Sequence, residues 1–428
     1  MSLPENQYSK VKVKATIKRV LLGCIAAALS ISCNIERYET VIRQTLFQSS
    51  PQDSVPYRIP AIGQFPDGSL LALSDYRPCR MDIGFGRVDM HGRISKDGKQ
   101  WGEEFVLMKG NGISKSTECG FGDAAMVVNR ESGEVMVIMV CGNTIYYEQS
   151  TNRQNPNRVA CIRSYDGGKT WEPWKEITED IYTLFDKSSH GCVESCFFSS
   201  GKIVQSRMVK VGSHYRIYHA LAARPNGNRV IYSDDFGRTW DVLGGKDALP
   251  APYGDEAKCE ELPDGRVVIS SRTMGGRYFN IFSFSDLNSG AGRWDKAAYS
   301  AADNKGCAAL QNACNGEILM VAAKNKENGK KVTLALQSIP LGPDRQNVGI
   351  YYKEVDGIAN SEELAAAWDG PYQVTDKPSA YSTMIQLQNG KIGFYFEEYD
   401  RLKTLDYHMV YTELPLSEIS FGKYTARK

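Results

Sequence analysis

Seven polar residues stand at the ends of apolar segments, where chemistry rather than packing would have to explain them: Arg58, Arg77, Asp123, Glu256, Arg272, Tyr381 and Glu397. Planar guanidinium forks suit a carboxylate or a phosphate, so Arg58, Arg77 and Arg272 together describe a site for an anion. Arg345, within Asp344-Arg345-Gln346-Asn347, is a further member. Binding of phosphate or sulfate alone leaves the neighbouring Glu256 and Tyr381 unexplained. Any one of these residues, taken singly, reads as a solvated strand end. Their recurrence at one structural address makes them a site, and that address comes from a repeat.

The repeat is a glycine, one mostly charged residue and a branched aliphatic. It occurs as Gly68-Ser69-Leu70, Gly133-Glu134-Val135, Gly201-Lys202-Ile203, Gly265-Arg266-Val267, Gly316-Glu317-Ile318 and Gly390-Lys391-Ile392, at intervals of 65, 68, 64, 51 and 74 residues. Asn, Asp or Ser precedes most of these glycines, as a tight hairpin with positive φ requires. A second pattern follows the first three glycines. It is complete as Ser164-Tyr165-Asp166-Gly167-Gly168-Lys169-Thr170-Trp171 and Ser233-Asp234-Asp235-Phe236-Gly237-Arg238-Thr239-Trp240, and one residue shorter from Ser95 through Asp97 and Gly98 to Trp101. Eroded copies end at Trp294 and Trp368. Two hairpins per repeat give four antiparallel strands, which is a propeller blade. The predicted fold is all-β, a six-bladed β-propeller of four-stranded antiparallel blades. Six blades of about 65 residues need about 390, so residues 34–428 read as a single domain. In each blade the first strand lies nearest the axis and runs to the hairpin glycine, and the second returns. Residues nine or ten before the glycine (Arg58, Asp123, Glu256, Tyr381) and seven to nine after it (Arg77, Arg272, Glu397) therefore meet at one mouth of the tunnel.

The remaining features bound the setting. Lys and Arg number 51 against 50 for Asp and Glu, so nothing favours nucleic acid or another charge-driven partner. Five basic residues (Lys10, Lys12, Lys14, Lys18, Arg19) precede an apolar run from Val20 to Ile31, which is the pattern of a secretory signal over residues 1–33. Cys33, after Leu29-Ser30-Ile31-Ser32, resembles a loose lipobox, with Cys24 as the competing position. The expectation is export, to the periplasm or the cell surface as a lipoprotein anchored only through Cys33, or otherwise secretion. Beyond residue 33 nine cysteines remain, with no C-x-x-C pair and only five histidines in the chain. They read as buried free thiols, with room for one disulfide, rather than a metal site.

At this point the residues carry a family resemblance. Tyr57-Arg58-Ile59-Pro60 resembles the F/Y-R-I-P motif of sialidases, and the Ser-x-Asp-x-Gly-x-Thr-Trp boxes follow it as they do there. The likeness covers essentially the whole chain after the leader and is closest to the bacterial exo-sialidases of glycoside hydrolase family 33. It implies sialylated glycans as partners, no metal or organic cofactor, and roles residue by residue. Arg58, Arg272 and Arg345 resemble the three arginines that clamp the substrate carboxylate, and Tyr381 the nucleophile. Glu256 resembles the acid partnering that tyrosine, and Glu397 the carboxylate that orients the first arginine, with Glu398 as its alternative. Arg77 and Asp123 resemble residues around the C4 and N-acetyl substituents of the sugar. Asp82, in Arg77-Pro78-Cys79-Arg80-Met81-Asp82, fits the acid/base position better than Asp89, which reads as a strand residue.

The chemistry explains this choice of groups. Sialic acid bears a carboxylate on its anomeric carbon, so a carboxylate nucleophile would approach against like charge, and a tyrosine avoids this. A phenol with an unperturbed pKa of about 10 needs a base, the expected task of Glu256, and the arginines are expected to lower that pKa further. Asp82 would protonate the leaving oxygen and then activate water. Two displacements predict retention. An intramolecular trans-sialidase releasing an anhydro sugar would use the same residues, and a sialic-acid-binding propeller without turnover would keep the arginines while losing Tyr381 or Glu256.

Overall fold

The computed structural model describes residues 43–48, 54–311, 314–399 and 406–427; the leader and Cys33 lie outside them. Short strands dominate because the chain offers apolar runs of five to eight residues punctuated by turns. The strand Val135–Cys141 is buried along its whole length, which is why it shows no polar alternation. Six sheets form, each a blade of four or five strands. The first is Tyr57–Gln64, Leu70–Tyr76, Asp89–Ser95 and Phe105–Met108, paired antiparallel in sequence order. The second begins with Phe121–Val128, the fourth with Ala257–Glu261, the fifth with Ile318–Asn325 and the sixth with Ser379–Gln386.

The ring is closed by the N-terminal strand. Arg43–Phe47 pairs antiparallel with His408–Leu414 and so supplies the outer strand of the sixth blade. The core is a set of wedges between neighbouring blades. In one wedge Leu71, Leu73 and Met90 of the first blade share a cluster with Val135, Val137 and Met139 of the second. Another joins Val321, Leu334 and Ile350 of the fifth blade to Ile392, Phe394 and Val410 of the sixth.

The boxes predicted as turns are turns. Asp166 accepts from the backbone N–H of Thr170 at 2.9 Å and from its hydroxyl at 2.6 Å, while Ser164 accepts from Gly168 N–H at 3.0 Å. Asp235 and Ser233 repeat this arrangement. The shorter box keeps it too, with Asp97 accepting from Lys99 and Gln100.

The glycine frame needs correction in two blades. Gly68, Gly133, Gly265 and Gly390 are hairpin glycines with φ between +77° and +89°. Gly201 is not, because Gly201–Lys202 crosses to pair in parallel with the inner strand of the second blade. The third-blade hairpin lies instead between Val204–Val211 and His214–Arg224. Gly316 precedes the inner strand of the fifth blade, where an added Cβ would sit 1.8 Å from the carbonyl oxygen of Ser338. That glycine answers a close backbone approach, not a turn. The uneven intervals of 51 and 74 residues lie on either side of Gly316, whereas Gly201 leaves the spacing even. All nine cysteines beyond the leader are free, seven of them buried.

Candidate active site

The four correctly framed blades each bring polar residues to one mouth, and three of them use the same device. Register shifts fall between Arg58 and Ala61, between Gly122 and Ala125, and between Ser379 and Ser382. A bulge adds a residue to one strand and re-aims its side chains; here it turns Arg58, Asp123 and Tyr381 inward. The distortion is held against a conformational cost, since Ile59 has φ +58° and Asp123 φ +56°, a region that β-branched residues in particular avoid.

Glu397 explains how the first bulge is held. It is fully buried at the end of the strand Ile392–Glu398. Its carboxylate accepts from Arg58 Nε at 2.8 Å, Ile59 N–H at 2.7 Å and Tyr381 N–H at 3.1 Å. One carboxylate thus fastens the bulges of the first and sixth blades to each other. Its neighbour Glu398 faces the opposite side of the strand, as alternation requires, and engages Arg43, Thr375, Lys377 and His408.

At the centre, the Tyr381 hydroxyl lies 3.0 and 2.9 Å from the two Glu256 oxygens. Arg272 Nη1 donates to Glu256 at 2.6 Å and to the Tyr381 hydroxyl at 3.2 Å. Arg58 and Arg345 each place the guanidinium carbon 5.7 Å from the centre of the Tyr381 ring. Arg345 itself stands in the turn between Lys331–Gly342 and Gln346–Glu354 with φ +63°. Burial raises the Tyr381 phenol well above its ordinary range and Glu256 adds to this, while Arg272 and Arg345 only partly offset it. The arginines do lower the phenol, as expected, but desolvation of the phenolate outweighs them and the net shift is upward.

These groups line a cavity of about 360 Å³ together with Asp82, Asp123 and Asp255. Its opposite wall is apolar, with Ile83, Val140, Ile145, Tyr146 and Phe197. The Asp82 side chain is 64% exposed and bonds Arg77 Nη1. Burial works against ionisation of Asp82, yet Arg77, assisted by Arg58 and Arg345, holds its carboxyl below the usual range. Asp89 lies elsewhere, buried on its strand and bound to Arg87 and the Gly110 N–H. Arg77 is not on the cavity wall. It is 2% exposed and stands behind it, engaging Asp75, Asp82 and Asp123.

The structure thus brings Arg58, Asp82, Asp123, Glu256, Arg272, Arg345 and Tyr381 to one cavity, with Arg77 and Glu397 supporting from behind. Sequence reasoning missed Asp75, Asp255 and the apolar wall. Asp75 was within reach, since it lies seven residues after Gly68, the offset that Arg272 and Glu397 keep from their own glycines.

Comparison with known proteins agrees with this architecture. A sialidase from Micromonospora viridifaciens is 33% identical over 228 residues, covering 50% of this chain and 32% of that protein's length. A sialidase from Paraclostridium sordellii is 25% identical over 350 residues, covering 80% of this chain and 81% of the other. Among solved structures, an intramolecular trans-sialidase from Ruminococcus gnavus superposes with a TM-score of 0.63 at 15% identity, covering 88% of this chain and 98% of that one. The NanB sialidase of Streptococcus pneumoniae gives 0.63 at 17%, covering 88% and 71%; at such identities these two establish the fold. The BNR repeat-like domain matches residues 84–394, a span that holds two complete Asp boxes and most of the cavity, and the chain belongs to that family, on a propeller of the sialidase kind.

Proposed function

We propose that this protein is a retaining exo-sialidase that hydrolyses terminal sialic acid from glycoconjugates through a tyrosyl intermediate. The observation that carries the reading is the Tyr381 hydroxyl bonded to both oxygens of Glu256 and to Arg272, beneath a cavity that Arg58 and Arg345 also face. Three guanidinium groups around one point suit the carboxylate of a sialic acid. Because burial keeps the phenol protonated, attack requires simultaneous transfer of its proton, and Glu256 is the acceptor in place. Asp82 protonates the leaving oxygen and then draws a proton from water. Its depressed pKa means that the free protein holds it ionised near neutrality, so turnover falls as pH rises. The apolar wall is suited to a methyl-bearing substituent on the sugar.

Two observations favour hydrolysis over the alternatives. The exposed Asp82 side chain leaves water a path to the intermediate, whereas intramolecular transfer depends on keeping it out. A binding propeller without turnover has no use for the Tyr381–Glu256 pair. The reading carries with it an exported protein, through a leader and Cys33 that lie outside the described residues. The direct test is Tyr381→Phe, which should abolish normal turnover of an aryl sialoside in a protein that still folds; undiminished retaining hydrolysis would remove Tyr381 from its role.

A further inference from the structure

We infer that Asp255 is a specificity-determining residue, selecting sialic acids whose terminal side-chain hydroxyls are unmodified; this rests on the sialidase reading above. Asp255 lies in the link between the third and fourth blades, next to Glu256, and lines the cavity. Its backbone is held at both ends, the N–H donating to Arg272 O at 3.1 Å and the carbonyl accepting from the Asn228 side-chain amide. Its side chain is 48% exposed, and Arg272 Nε stands 3.6 Å away, beyond hydrogen-bond range. The proposed reaction has no task for this carboxylate. Tyr146, whose ring packs against Phe197, is the neighbouring polar group on the wall: burial raises its phenol and Asp255 raises it further, so it stays protonated. A carboxylate that accepts and a phenol that donates make a pair suited to hydroxyl groups.

The shape of the sugar decides which hydroxyls reach this pair. With C2 over the Tyr381 hydroxyl, the sugar carboxylate meets Arg58, Arg272 and Arg345, which come from the first, fourth and fifth blades. C5, across the ring from C2, then turns to the apolar wall of Val140, Tyr146 and Phe197, supplied by the second and third blades. C4 and C6 fall on opposite flanks. One flank carries Asp123, which is 20% exposed and held from behind by Arg77; this closed side matches the single hydroxyl of C4. The other carries Asp255, the more open of the two, and matches the three-carbon chain on C6, whose C8 and C9 hydroxyls extend toward the mouth. A carboxylate there favours a free hydroxyl and disfavours an ester in its place, because the ester oxygen has no proton to donate.

The test compares kcat/KM for an aryl sialoside and for the same compound with its side chain shortened by the two terminal carbons. Wild type should turn over the shortened compound less well. Asp255→Ala should lower kcat/KM for the intact compound about tenfold more than for the shortened one, the worth of one hydrogen bond to a charged group. A loss transmitted through Arg272 or Glu256 falls on both compounds alike and cancels in that ratio. Asp255→Asn, which keeps one acceptor oxygen, should give a smaller loss in the same direction, and it serves if the alanine variant does not fold. The penalty that wild type shows against a 9-O-acetylated sialoside should shrink in Asp255→Ala. Equal losses on the two compounds, an unchanged penalty against the ester, or a wild type that does not distinguish the substrates would overturn the role of Asp255 while an active wild type leaves the sialidase reading intact. A wild type inactive on every sialoside would instead end that reading, and this inference with it.

Discussion

Replacing Glu256 with Gln isolates the proton acceptor of the proposed reaction. The side chain keeps its shape and can still bond the Tyr381 hydroxyl, and Arg272 retains a carboxylate in Asp255, 3.6 Å away. The fold should therefore hold. What disappears is the only carboxylate bonded to the phenol among the described residues. A general base contributes roughly 10²–10⁴-fold. A phenol of unperturbed pKa about 10 is ionised to only about one part in 10⁴ at pH 6, and burial of Tyr381 makes the fraction smaller still. We therefore expect kcat to fall by about 10³-fold, or about 4 kcal/mol of transition-state stabilisation. The assay is release of a fluorescent phenol from an aryl sialoside, whose good leaving group makes the tyrosine's attack the exposed step. A second signature accompanies the loss: turnover by the variant should rise with pH, by up to tenfold per unit, because the phenolate must now form without help. A variant within threefold of wild type, or one whose pH dependence runs parallel to it, would refute the reasoning.

Two further outcomes follow from the geometry. Asp82→Ala should reduce turnover of sialyllactose far more than of an aryl sialoside, by about 10² or more in ratio; equal losses, or a larger loss from Asp89→Ala, would move the acid/base role elsewhere. Glu398 bears on stability, because it ties Arg43 of the closing strand to His408 of the sixth blade and to Thr375 in the link between the fifth and sixth blades. Although burial opposes it, these partners depress its carboxyl from 4.5 to about 2. A depressed folded-state pKa gives stability that is present above pH 4.5 and lost as pH falls toward 2, about 2 kcal/mol after allowance for solvent screening. Glu398→Gln should lower Tm at pH 6 and flatten the fall in Tm between pH 4.5 and 2; a variant that loses stability in parallel with wild type over that range would show the contribution to be absent.

Much of this architecture was legible in the residues. Four glycines with positive φ mark true hairpins, and counting from them lands on Arg58, Asp123, Glu256, Arg272, Tyr381 and Glu397, because strand length fixes where a strand begins and ends. The same count misleads at Gly201 and Gly316, where glycine answers a crossing between blades or the near contact of Ser338. No local pattern distinguishes those demands from a turn. Arg345 stood outside the glycine count as a further candidate, because it lies in a turn of the fifth blade, one of the two misread; only the resemblance gave it a role. Asp75 escaped although its offset was right, since Arg77 two residues later offered the more evident charge. The apolar wall of Tyr146 and Phe197 was out of reach, because those rings come together from different blades, 4.7 Å apart at their centres. The reversal at the Tyr381 phenol has a simple cause: charge can be counted in a sequence, but the loss of water around it cannot.

The most direct test of the proposed function is an NMR time course of the purified protein acting on sialyllactose. The account predicts that the α-anomer of free sialic acid appears first and equilibrates afterwards, as two displacements at one carbon require. First appearance of the β-anomer would contradict the tyrosyl intermediate, an anhydro sugar would contradict hydrolysis as the outcome, and binding of sialic acid without release would contradict catalysis itself.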